Sequence, residues 1–194
     1  MAPRITLFSA SPRRRELLGS VGIPCRAVPV DAGETPPPGL EPGPVVEALA
    51  LRKLEAGLSR TTRRPGWSLA ADTLVAVDGR VLGKPGDREE ARRMLESLSG
   101  RTHGVFTGLA VNRGAGDATV SAWSRTAVTF RALDPAEIAS YLDAGEWRGA
   151  AGAYRVQERG AFLVEGISGE WSTVVGLPLG TLYGILTRMS YPFG

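Results

Sequence analysis

Cysteine and histidine are nearly absent from this chain of 194 residues, which contains one of each. The lone Cys25 excludes an internal disulfide and a cysteine-based metal cluster, and it suits a reducing compartment, so we expect a cytoplasmic protein. The lone His103 excludes a zinc site built from several histidines. Any bound metal would therefore be held mainly by oxygen ligands, which favours Mg²⁺ or Mn²⁺.

Long apolar runs are also missing. No stretch approaches the roughly 18–20 consecutive apolar residues of a membrane span, so no membrane partner is expected. The formal net charge is only +3, and the excess lies in short arginine clusters rather than in a basic tail. Such clusters suit a small phosphorylated molecule, and without an aromatic signature for RNA binding we favour that partner over nucleic acid.

Helix and strand signals alternate along the chain. Asp78-Gly79 is a hairpin-turn signal between two apolar runs, and Asp87 and Asp134 are helix caps. Strands are predicted at 4–9, 25–30, 67–77, 103–111 and 119–131, and helices at 12–21, 45–59, 87–100, 133–145 and 179–189. This order predicts an α/β protein with a mixed central sheet flanked by helices.

The stretch SASPRRR, which begins at Ser9, places a cluster of cations where a helix starts. Ser11 stands at the N-cap, and Arg13, Arg14 and Arg15 fall in the first turn, where the helix dipole favours anions. In one interpretation the arginines are simply solvated. In the other, the helix N–H groups, the hydroxyls of Ser9 and Ser11 and the arginines bind a phosphate chain together.

Asp72 interrupts an otherwise apolar predicted strand. A buried carboxylate is costly unless it is paired, hydrogen-bonded or metal-bound, so Asp72 is either a structural aspartate or a metal ligand or general base. Lys84 precedes a predicted helix start, and the reasoning used for the arginines predicts an anion near it as well.

Three further residues give weaker signals. Lys53 lies on a predicted helix, where a surface lysine is the default, and Glu34 is either a solvated loop acid or a second metal ligand. The amide of Gln157 offers a donor and an acceptor that could read the edge of a nucleobase.

Taken together, these residues resemble the Maf family of nucleoside triphosphate pyrophosphatases over almost the whole chain. The stretches that carry the resemblance are SASPRRRELL (9–18), LALRKLEA (49–56), AADTLVAVDGRVLGKP (70–85), EEARRMLESLSGRTHGVFTGLAV (89–111), GAYRVQERG (152–160) and VVGLPL (174–179). The resemblance implies a single Maf-type domain over residues 1–194, with a Maf/ITPase-like fold of two lobes and a substrate cleft. It also implies a nucleotide substrate, a divalent metal and a homodimer.

The resemblance further implies roles for individual residues. Asp72 would be the catalytic carboxylate, usually the proton acceptor, and Asp72 and Glu34 would be the metal-binding acids, although Gly33 stands where the family commonly has aspartate before Glu34. The phosphate-binding residues would be Ser9, Arg13, Arg14, Lys53 and Lys84.

Three positions would mark the substrate. Arg13, Thr73 and Gln157 match the branch of the family that hydrolyses dTTP and UTP to the monophosphate and pyrophosphate, whereas the 7-methyl-GTP branch tends to carry tryptophan, glutamine and glutamate there. The alternatives are a pyrophosphatase for 7-methyl-GTP or another modified nucleotide, and a non-catalytic nucleotide- or nucleic-acid-binding regulator of septum formation.

Overall fold

A seven-stranded mixed β-sheet is the framework of the chain. The computed structural model describes residues 2–33, 35, 39–61, 66–114 and 119–194. The strands are β1 (Ile5–Phe8), β2 (Cys25–Ala27), β3 (Ser68–Val77), β4 (Arg80–Leu82), β5 (Thr102–Asn112), β6 (Val120–Phe130) and β7 (Val164–Ser168). Their order is β2-β1-β3-β5-β6-β7, and β4 pairs with β3. Strands β2 and β3 run parallel to β1, whereas the β3–β4 and β6–β7 pairs are antiparallel, so the predicted mixed sheet is confirmed.

Six α-helices are described along with the sheet. They are α1 (Pro12–Ser20), α2 (Pro42–Ser59), α3 (Arg88–Leu98), α4 (Pro135–Ala144), α5 (Trp171–Val175) and α6 (Leu179–Arg188), and 3₁₀ turns occupy Ala151–Ala153 and Arg159–Leu163. In the part of the chain that the structure describes, no helix is both long and apolar enough to cross a membrane.

Local side-chain chemistry explains where several elements begin. The Asp87 carboxylate accepts the Glu90 N–H at the start of α3, and Asp134 and Glu137 form a reciprocal capping box at the start of α4. Asp78 and Gly79 both have positive φ, 48° and 74°, as a two-residue hairpin turn of type I′ requires.

The chain divides into two compact units, in line with the two lobes expected. The first comprises Met1–Asp72, Thr107–Ser124 and Gly176–Gly194, and the second comprises Thr73–Phe106 and Arg125–Val175.

Helix α2 packs closely against the strands of the first unit. Its residues Ala50 and Leu54 share a buried cluster with Phe8, Ala70 and Ala110. At two glycines the packing leaves no room for a side chain. A β-carbon on Gly57 would lie 2.3 Å from the Phe8 ring, and one on Gly108 would lie 2.3 Å from the Val46 carbonyl oxygen. The backbone of α2 is therefore set directly on β1 and β5.

The second unit has its own buried centre. Helix α3 contacts α4 and the 3₁₀ turn Ala151–Ala153. Next to these elements, the rings of His103, Phe130 and Tyr154 meet edge to face with centroid separations of 4.8–5.5 Å.

The last third of the chain differs most from the sequence-based expectation. Strand β7 and helix α5 of this region are absent from the prediction, and in the first third of the chain β2 is shorter than the predicted 25–30. The β7 sequence VEGIS has two half-buried apolar residues among exposed ones, so it lacks the alternation that identifies a strand.

Candidate active site

The start of α1 carries the mismatch of charge that the sequence predicts. Ser11 occupies the N-cap position, but its side chain makes no capping hydrogen bond, and no acidic residue lies in the first turn. Arg13 and Arg14 are half-buried there, whereas Arg15 is exposed. The positive end of this helix therefore lies beside cations, an arrangement that an anionic ligand would stabilise.

Ser9 and Arg14 form a hydrogen-bonded cradle in front of this helix start. The buried Ser9 Oγ accepts the Ser11 N–H at 3.2 Å and an Arg14 guanidinium N–H at 3.0 Å. Both bonds use oxygen lone pairs, so neither of them uses the hydroxyl's own proton. Such a hydroxyl is suited to donate to an acceptor without protons, such as a phosphate oxygen.

Gly176 also holds Arg14 in place, a contact that the sequence does not predict. Its carbonyl oxygen accepts the Arg14 Nε–H at 2.8 Å, although the two residues are 162 positions apart. The guanidinium is thus held from two sides, by a hydroxyl and by a carbonyl. No local sequence signal could have identified this contact, because it exists only once Gly176 and α1 are folded together.

Lys53 and Asp72 form a buried ion pair in the first unit. Lys53 Nζ on α2 donates to Asp72 Oδ1 on β3, and the two residues are only 9% and 8% exposed. The default interpretation of Lys53 as a surface lysine is therefore wrong. The pair resolves the cost of placing Asp72 in an apolar strand, because each buried charge is compensated by the other.

The other predicted site residues belong to the second unit. Thr73 follows Asp72 directly and is half-buried, Gln157 is half-buried just before the second 3₁₀ turn, and Lys84 is exposed between β4 and α3.

The anion predicted near Lys84 stays a prediction, and the argument for it from the helix dipole is weakened. The start of α3 already carries its own carboxylates, since Asp87 caps it and Glu89 and Glu90 lie in its first turn. Glu90 also accepts the Gly86 N–H at 2.8 Å. The phosphate-binding role of Lys84 therefore rests on the family resemblance alone and stays a prediction.

The described residues contain no cluster of three or more metal-ligating side chains. Glu34, the second predicted metal ligand, lies outside the described residues. Asp72 is consequently the one predicted metal ligand whose position is known. This donor set still fits Mg²⁺ or Mn²⁺, because Mg²⁺ at phosphate-processing sites commonly uses one or two carboxylates and takes its other ligands from substrate phosphates and water.

The first unit thus contains a buried carboxylate–ammonium pair and an arginine-lined helix start, and the helix start suits an anionic ligand. The chain belongs to the Maf family, since the family model described as "Maf-like protein" matches residues 4–189. The resemblance predicted from the sequence is thereby confirmed.

Curated relatives are similar over nearly their full length. A protein of Pelotomaculum thermopropionicum is 45% identical over 96% of this chain and 97% of its own. A protein of Myxococcus xanthus is 47% identical over 97% and 93%, and one of Moorella thermoacetica is 49% identical over 91% and 90%. All three are named "dTTP/UTP pyrophosphatase".

A solved structure, that of the Staphylococcus aureus Ham1 protein, is similar at a TM-score of 0.44 with 15% identity, covering 66% of this chain and 71% of that one.

Proposed function

We propose that this protein is a nucleoside triphosphate pyrophosphatase that hydrolyses dTTP and UTP to the monophosphate and pyrophosphate. Family membership and the shared name of the relatives support the reaction and the substrates. The structural observation that carries the proposal is the Lys53–Asp72 pair, since a site for simple anion binding gains nothing from a buried carboxylate. In the reaction, water attacks the α-phosphorus, the bond to the α–β bridging oxygen breaks, and pyrophosphate leaves with that oxygen.

The first step is the capture of the triphosphate at the start of α1. The Ser9 hydroxyl, held by Ser11 and Arg14, donates to a phosphate oxygen, and Arg13 and Arg14 supply positive charge. Because the guanidinium of Arg14 is already fixed by Gly176, little side-chain freedom is lost when the phosphates bind. Lys84 of the second unit is proposed to contribute a further cation.

Asp72 and Lys53 act at the reacting phosphorus. Asp72 takes the proton from the attacking water or holds the divalent metal, and Lys53 neutralises charge on the phosphates. A bound Mg²⁺ or Mn²⁺ would supply Lewis-acid stabilisation of the charge that develops on the phosphate oxygens. Asp72 would hold it, with Glu34 proposed as a second ligand.

Selection of the nucleotide is assigned to Arg13, Thr73 and Gln157. The Gln157 amide carries both a donor and an acceptor, which is what the edge of a pyrimidine requires. We also propose that residues 1–194 act as a single domain in a cytoplasmic homodimer, with the substrate held in a cleft.

Product analysis on a nucleotide panel tests this proposal. With Mg²⁺ or Mn²⁺, dTTP and UTP should each yield the monophosphate and pyrophosphate, with higher kcat/KM than dCTP, dATP, GTP or 7-methyl-GTP. Orthophosphate as the sole inorganic product would overturn the position of cleavage. Preference for 7-methyl-GTP would overturn the substrate assignment, and tight nucleotide binding without turnover would indicate a regulator.

A further inference from the structure

Tyr154 begins the short segment that ends at Gln157, and it forms a buried hydrogen bond with His103. This bond has no part in the proposed reaction. Tyr154 is 6% exposed, His103 is 2% exposed, and the Tyr154 hydroxyl lies 2.9 Å from His103 Nε2. The His103 ring packs edge-on against Phe130, with a centroid distance of 5.0 Å. Burial lowers the pKa of His103 to about 4, so the imidazole is neutral at physiological pH. A polar pair enclosed by rings in this way fixes one geometry, since shifting either partner leaves a buried polar group unpaired.

The backbone just before Tyr154 is tied to the segment that carries Lys84. The Gly152 N–H donates to the Gly83 carbonyl at 3.0 Å, and Gly83 directly precedes Lys84. Between this bond and Tyr154, Ala153 holds a φ of +64°, a left-handed conformation that side chains other than glycine seldom adopt. Such strain persists only where surrounding contacts fix the backbone.

The backbone just after Tyr154 is fixed as well. The Arg155 N–H donates to the hydroxyl of buried Tyr141 at 3.1 Å. On the other side, a β-carbon on Gly160 would lie 2.3 Å from the Arg155 carbonyl oxygen, so the following turn is packed directly on this residue. The backbone that precedes Gln157 is thus held by groups from β5, α4 and the β4–α3 loop.

We propose that His103 and Tyr154 are positioning residues for nucleotide selection, which hold Gln157 at a fixed place relative to the Lys84 segment. This inference rests on the proposed function, because it takes Gln157 to read the pyrimidine and Lys84 to contact the phosphates. Loss of the His103–Tyr154 bond would let the turn shift and would weaken discrimination between bases, while triphosphate binding by the first unit would be unaffected. A displacement of about 1 Å is enough to change rates strongly.

The test compares matched variants by two readouts. Tyr154→Phe keeps the ring and removes the hydroxyl, His103→Leu removes the partner, and His103→Gln restores a group that can bond to the hydroxyl. Tyr191→Phe is the control, since Tyr191 is also buried and donates its hydroxyl to the Pro3 carbonyl at 2.6 Å in the first unit. The readouts are the ratio of kcat/KM for dTTP and dCTP, and inhibition by inorganic tripolyphosphate, which lacks a base.

We expect the dTTP:dCTP ratio to fall about tenfold in Tyr154→Phe and His103→Leu and to recover in part in His103→Gln, while tripolyphosphate inhibition changes less than about twofold. Tyr191→Phe should leave the ratio unchanged. If the wild type releases pyrophosphate from dTTP but the Tyr154 and His103 variants lose activity on both nucleotides equally, the positioning role is overturned and the proposed function stands. If the wild type releases none, both fail.

Discussion

Lys53 Nζ donates to Asp72 Oδ1, so the buried cation and the buried carboxylate of the first unit neutralise each other. Each member has a different proposed partner in the reaction, a phosphate for Lys53 and a metal or water proton for Asp72. With these proposed partners, binding of a metal–nucleotide complex would break one ion pair and form two sets of contacts. Both charges would become available to the substrate together, so we expect metal binding and nucleotide binding to be linked.

Asp72→Asn tests the carboxylate directly. Asparagine keeps the size of the side chain and an acceptor for Lys53, but it cannot take a proton and is a poor ligand for a hard divalent cation. We expect kcat to fall about 10²–10⁴-fold, the range typical of losing a general base. Steady-state pyrophosphate release measures the effect, and an unchanged circular dichroism spectrum checks the fold. Retention of wild-type kcat would remove Asp72 from the mechanism.

Lys53→Gln tests the link between metal and nucleotide. Glutamine keeps a hydrogen-bond donor near Asp72 and removes the charge that repels an incoming cation. We expect Mn²⁺ to bind the nucleotide-free variant about tenfold more tightly than the wild type, and KM for dTTP to rise. Titration calorimetry with Mn²⁺ alone measures the first effect.

Arg15→Gln is the control for charge. It removes an exposed cation of α1 that lies outside the proposed site, and we expect it to leave Mn²⁺ binding by the nucleotide-free protein unchanged. An Mn²⁺ affinity of Lys53→Gln equal to or weaker than that of the wild type would contradict the link.

Arg14→Ala and Arg15→Ala form a matched pair on one helix turn. Arg14 is bonded to Ser9 and Gly176, whereas Arg15 is exposed. We expect KM for dTTP to rise at least about tenfold in Arg14→Ala, because a charge-assisted hydrogen bond contributes roughly 1.5–3 kcal/mol. Arg15→Ala should change KM less than about twofold. Initial-rate measurements give both KM values. An equal rise in KM for the two variants would contradict a specific role of Arg14 and would mean that only the total charge of the helix turn attracts the phosphates.

His103 predicts a dependence of stability on pH. Burial lowers the pKa of His103 to about 4 in the folded state, below the ordinary value of 6.5. The unfolded chain therefore binds a proton first as pH falls, so this stability is present above about pH 6.5 and is lost progressively towards pH 4. We expect His103 to contribute about 2 kcal/mol to the loss between pH 7 and pH 5. Urea unfolding at both pH values should show a smaller loss in His103→Gln, and an equal loss would refute the assignment.

Much of the fold could be predicted because its signals are local. Helices α3 and α4 start at Asp87 and Asp134, whose carboxylates accept backbone N–H groups as the capping rules require. The Asp78-Gly79 turn likewise has the backbone conformation that its sequence predicts. Strand β7 could not be predicted in this way, since its pairing with β6 is a long-range contact and its side chains are mostly exposed.

The site shows the same division between local and long-range information. Asp72 could be singled out because a carboxylate in an apolar strand is anomalous on any fold. Its partner could not, because Lys53 lies on α2 in a sequence typical of an exposed helix, and only the packing of α2 on the sheet buries it. The Tyr154–His103 bond also joins residues that are 51 positions apart.

The close approach of α2 at Gly108 has a consequence for mutational tolerance. A methyl group there would meet the Val46 carbonyl at 2.3 Å and push the helix outward, and Lys53 would travel with it. Such a chain could keep every strand and helix and still lose the alignment of its two buried charges. A residue without a side chain thus keeps the helix at the distance from the sheet that the ion pair requires.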